Sequence, residues 1–140
     1  MLNMPNIKIG ESITIQKKVT ESDTAINYGS GKLDNLFATP SLVALMIEAS
    51  TALLDEGLEE GFITVGKSVQ VNHEKPTILG QTISLKVTIK EYKSNLIKID
   101  MEAFDEIGKI GSGHHERMVV NKDKLLEKAS LRELPLESRD

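Results

Sequence analysis

Residues Phe37-Ala38-Thr39-Pro40-Ser41-Leu42-Val43-Ala44-Leu45-Met46-Ile47-Glu48-Ala49-Ser50-Thr51-Ala52-Leu53-Leu54 decide the fold. Thr39 reads as an N-cap and Pro40 as the first helical residue, where the missing N–H costs nothing. Helical spacing gathers Leu42, Leu45, Met46, Ala49, Ala52 and Leu53 on one face. Val43, Ile47, Ser50 and Leu54 widen that face past half the circumference. Only Ser41, Ala44, Glu48, Thr51 and Asp55 form a narrow small or polar strip. A helix apolar over so much of its surface must be wrapped by something. Gly57 ends it. No other stretch of the 140-residue chain carries a long helical pattern.

Outward from the helix the chain alternates. Before it, Glu11 to Thr20 sets Ile13, Ile15 and Val19 against Thr14, Gln16 and Lys18, a first strand. The loop from Glu21 to Leu36 contains Asn27-Tyr28-Gly29-Ser30-Gly31, a turn-forming run with room for one short helical turn. After the helix, Phe62 to Glu74 presents Ile63, Val65, Val69 and Val71, with Gly66 marking a bulge. Thr82 to Tyr92, Leu96 to Phe104 and Lys109 to Asn121 follow as three further strands, the first two joined by a tight reversal at Lys93-Ser94-Asn95. Lys122 opens a short polar helix and then a tail. One strand, one enclosed helix and four strands define an α+β chain, predicted as a single domain over residues 1–140. A curled antiparallel sheet around the helix, the hotdog arrangement, meets the helix's need for cover. Such a sheet leaves a helix flank and a strand edge open, so a dimer is expected.

Composition excludes several classes. The net charge of −4 argues against a nucleic-acid partner, which needs a basic face for phosphates. With no cysteine there is no disulfide, thiol nucleophile or thiolate metal site, and a reducing cytoplasm is the expected location. No apolar run reaches membrane-spanning length, so no membrane partner is expected. His114 and His115 are adjacent on a strand and face opposite ways, and with His73 they lack metal-ligand spacing. Gly111-Ser112-Gly113 lies in a strand with no helix behind it. Its missing side chains suit a close approach by a thin ligand or another backbone rather than a phosphate cradle.

Three segments carry a resemblance. Phe37-Ala38-Thr39 opens the helix, which runs on through Leu45-Met46. Val71-Asn72-His73 is followed by Gly80, and Ile110-Gly111-Ser112-Gly113-His114-His115-Glu116-Arg117 lies in the last strand. In that order and spacing the chain resembles the fluoroacetyl-CoA thioesterase-like family of hotdog proteins. The resemblance implies a homodimeric acyl-CoA thioesterase with no metal and no cofactor, acting on a small-molecule acyl-CoA. It assigns the catalytic threonine to Thr39 and the histidine to His73. The family's glutamate directly follows Leu-Met, where this chain has Ile47. Glu48, the next residue and the catalytic carboxylate expected here, lies about 100° further round the helix. Either Glu48 serves by a small rotation, or the carboxylate role is absent, or the activity is altered.

The implied chemistry is thioester hydrolysis. Thr39 and the helix-start amides polarise the carbonyl, and His73 moves the proton. Glu48 acts as nucleophile or holds the water. Arg117, Lys67 and Lys75 are equal candidates for the CoA phosphates. Two other readings stay open. One is a non-catalytic acyl-CoA-binding protein, consistent with the missing glutamate. The other is an enoyl-CoA hydratase, which needs an Asp and a His five residues apart before the helix, a pair this chain lacks.

Overall fold

A computed structural model describes residues 7–138. Residues 1–6 and 139–140, the ends of the unpatterned opening segment and of the predicted tail, lie outside the described residues. The elements are β1 (Ser12–Lys18), α1 (Thr39–Leu54), β2 (Phe62–His73), β3 (Thr82–Lys93), β4 (Leu96–Phe104), β5 (Lys109–Asn121) and α2 (Lys122–Leu131). The five strands form one antiparallel sheet in the order β1-β3-β4-β5-β2. This is the α+β hotdog fold expected from the pattern. The loop between β1 and α1 holds two short 3-10 turns, Glu21–Asp23 and Ala25–Asn27, where one was expected.

The sheet buries alternate residues, as its period of two requires. Ile83, Leu85, Val87 and Ile89 of β3 and Ile97, Ile99 and Met101 of β4 are all at most 1% exposed. They pack against Leu42, Leu45, Met46 and Ala49 of α1. Each large side chain buried there contributes about 2 kcal/mol relative to exposure. The opposite face of the three central strands is polar, with Lys86, Lys90, Lys98 and Glu102 in solvent. The β3–β4 reversal is a two-residue turn in which Ser94 and Asn95 both have positive φ, 50° and 69°.

Three expectations are corrected. Thr39 is the first residue inside α1 and not its cap; Ala38 holds the cap position and no side chain caps the helix. The enclosed face is narrower than the apolar pattern suggested, because Ala52 is exposed and Val43, Ile47 and Leu53 are half-buried. One sheet covers one side of a helix, so that stripe stays open. In β2 the register shifts between Gly66 and Ser68. The extra residue flips the facing of the strand, so Thr64 and not Ile63 or Val65 points to the core before the bulge. After it, Val69, Val71 and His73 stand opposite His115, Gly113 and Gly111.

Candidate active site

The bulge and the helix start converge on one pair. β2 ends at His73, turned inward by the register shift, and α1 begins at Thr39. Two backbone bonds hold the segment before the helix: Phe37 N–H donates to the Thr77 carbonyl at 2.8 Å and Ala38 N–H to the Asp23 carbonyl at 2.9 Å. This fixes Thr39 Oγ1 2.8 Å from His73 Nδ1, in a shared hydrogen bond across 34 residues of sequence. Phe37 meets the imidazole edge-on, with ring centroids 6.1 Å apart. The freedom of Thr39 from capping leaves its hydroxyl available for this contact.

His73 Nε2 is buried without a hydrogen-bond partner among the described residues. Burial pushes the imidazole below its ordinary pKa, with the Lys75 backbone opposing the shift, so the neutral base prevails at pH 7. Beside the pair lies a cavity of about 270 Å³, walled by Ala25, Leu33, Leu36 and Phe37 and bordered by Lys75. The first turn of α1 leaves amides without intrahelical acceptors, that of Ser41 among them; Pro40 has none to offer.

Glu48 does not join this pair within one chain. It is exposed, on the open stripe of α1, and nine residues of helix separate it from Thr39, a rise of about 13.5 Å. Ile47 is half-buried beside it. The fold thus brings Thr39 and His73 together and leaves Glu48 of the same chain apart from them.

A second polar group escaped the sequence reading. Arg117 is 5% exposed; its Nε–H donates to Thr64 Oγ1 at 2.9 Å and its Nη2–H to the Thr64 carbonyl at 2.8 Å. Thr64 in turn donates to Asp55, in the turn after α1, at 2.5 Å. His115, 1% exposed, lies 3.2 Å from Arg117 Nη1 through Nε2 and 2.8 Å from the Ser68 carbonyl through Nδ1. The signal was the period of two: His115 and Arg117 share the facing of buried Val119. His114 faces outward, opposite to His115 as expected, and bonds Asp100 at 2.8 Å. Arg117 is thus occupied inside the sheet, Lys67 is exposed on β2, and of the three cations weighed for CoA only Lys75 borders the cavity.

The Gly111–Gly113 run is explained by a backbone. A Cβ on Gly111 would overlap the Asn72 carbonyl oxygen, and one on Gly113 would stand 2.5 Å from that of Gln70. The two glycines let β2 lie close against β5. Among the described residues no three His, Asp or Glu side chains converge as a metal site, and no helix is long and apolar enough to cross a membrane.

A lone helix clasped by a curled antiparallel sheet, with a hydroxyl–imidazole pair at the helix start, defines a hotdog protein of the thioesterase kind. The chain belongs to the fluoroacetyl-CoA-specific thioesterase family, whose model matches residues 19–123. The fluoroacetyl-CoA thioesterase of Streptantibioticus cattleyicolor is 30% identical over 89 residues; the match spans 64% of this chain and 64% of that relative's length. A hot-dog-like protein from Thermanaerovibrio acidaminovorans superposes with a TM-score of 0.85 at 30% identity, covering 91% of this chain and 93% of that one. A single-residue variant of the fluoroacetyl-CoA thioesterase FlK, solved with fluoroacetate and CoA, superposes with a TM-score of 0.80 at 26% identity, over 85% and 99% of the two chains.

Proposed function

We propose that this chain is an acyl-CoA thioesterase, working in the cytoplasm as a homodimer joined along the open edge of β2. The observation that carries the reading is the Thr39–His73 hydrogen bond of 2.8 Å at the helix start, beside an apolar cavity. The Thr39 hydroxyl donates to His73 Nδ1, and the Ser41 amide donates to the thioester carbonyl. A water gives its proton through the Thr39 hydroxyl to His73 Nδ1 as its oxygen attacks the carbonyl carbon. The tetrahedral oxyanion collapses, the C–S bond breaks, and the same proton passes to the departing CoA thiolate. The acyl group lies against Leu33, Leu36 and Phe37. The carboxylate that orients the water is Glu48 of the second copy, since Glu48 of the same chain stands too far along the helix.

Thiol release over a series of short, branched and aromatic acyl-CoA substrates tests the activity. His73→Ala and Glu48→Gln should each be inactive alone. Mixed after unfolding and refolding together, they should regain about a quarter of wild-type activity, because half the dimers are hybrids with one intact site of two. Wild type that binds a CoA thioester and releases no thiol would instead be the non-catalytic binder, a reading favoured by the distance of Glu48 from the pair.

A further inference from the structure

The buried pair His115 and Arg117 takes no part in that chemistry, yet it sits where the β2–β5 ladder is broken. β2 is the last strand of the sheet within one chain, with the proposed dimer seam on its other side, and its ladder to β5 is broken by the register shift between Gly66 and Ser68. Both sides of the break are held by side chains of β5. Arg117 grips Thr64 through Nε and Nη2 on one side, and His115 grips the Ser68 carbonyl on the other. Thr64 then ties the strand to Asp55 beyond the end of α1.

The donors and acceptors allow one protonation state. A carbonyl only accepts, so His115 Nδ1 carries the hydrogen given to Ser68. Nε2 must then be the unprotonated acceptor of the Arg117 Nη1–H at 3.2 Å. A proton on Nε2 would set two N–H groups and two positive charges against each other at that distance, inside the sheet.

We propose that His115 is an acid-sensitive latch: its neutral Nδ1–H form seats Arg117 on Thr64 and pins the bulge, and its protonation releases the first half of β2. The charged groups bearing on His115 are Arg117 from its own strand and, through Thr64, Asp55 from the turn after α1. Its cross-strand neighbours are the apolar Val69 of β2 and Ile99 of β4. Lys98, Asp100, His114 and Glu116 alternate with the buried residues and belong to the other face of the sheet. Burial, opposed by the Ser68 carbonyl and reinforced by Arg117, lowers the His115 pKa from 6.5. The sign follows: the latch holds above pH 6.5 and weakens as pH falls towards the lowered value.

The test is a pH titration of the full chain by imidazole ¹⁵N NMR and amide hydrogen exchange. At pH 7.5 His115 should be the Nδ1–H tautomer. At pH 5.5, one unit below the ordinary value, exchange of the Thr64–Ser68 amides should be about tenfold faster after correction for intrinsic rates, with β3 and β4 unchanged. His115→Gln, which keeps a side-chain acceptor but does not titrate, should abolish that step. An Nε2–H tautomer at neutral pH overturns the proposal. So does titration of His115 with the β2 amides still protected, or opening of β2 only together with the whole sheet. Should the variant not fold, these wild-type outcomes decide alone.

Discussion

At the scale of the residue, the chain is legible where chemistry and local pattern coincide. Thr39 and His73 were identified from short motifs, and they meet at 2.8 Å. The capping role read for Thr39 failed because Ala38 takes the cap position, a shift of one residue that propensity does not resolve. The His115–Arg117 pair was missed because charged residues are taken as exposed by default, and only the alternation along β5 argues otherwise. His73→Ala should lower turnover about 100-fold or more while costing only about 1 kcal/mol of stability, the worth of one hydrogen bond. Turnover close to wild type in the folded variant would remove His73 from the reaction. Since burial lowers the His73 pKa, the acid limb of kcat/KM should fall below pH 6.5: activity holds above that value and declines as the neutral base is protonated. A limb centred above 6.5 would assign it to another group.

At the scale of the element, strand bounds were the most secure reading and facing the least. β4 and β5 run over the residues expected, because strict alternation between turn signals leaves little freedom. In β2 Gly66 marks the bulge in the sequence, but the alternation of Ile63 and Val65 hides its effect on facing, and the core partner is Thr64. The glycines of β5 are a further lesson in elements touching. A methyl on Gly113 meets the Gln70 carbonyl oxygen at 2.5 Å, Met101 Cε at 3.2 Å and Val71 Cγ2 at 3.3 Å. Gly113→Ala should therefore destabilise by about 1–3 kcal/mol, seen as a lower denaturant midpoint at constant m. Gly108→Ala, where nothing lies within 4 Å, is the control and should shift the midpoint little. Equal midpoints for the two would mean that β2 yields freely.

At the scale of the whole molecule, the enclosed helix implied its sheet, and the uncovered stripe of Val43, Ala44, Ile47 and Glu48 explains why the helix looked more enclosed in sequence than one chain makes it. The strand order β1-β3-β4-β5-β2 also carries a history of assembly. Its three central strands are consecutive in the chain, so their pairing closes only short loops, whereas both flanking strands must return from before β3 across longer ones. The β3–β4 hairpin, turning on Ser94 and Asn95 with positive φ, is the natural nucleus, and the edges condense on it late. Asn95→Gly relieves that turn and should speed refolding while leaving the unfolding arm of the chevron nearly unchanged. A gain confined to the unfolding arm would put the hairpin among the last parts to form. The strand that carries His73 is then also one of the last to arrive, and the site is completed only when folding is nearly over.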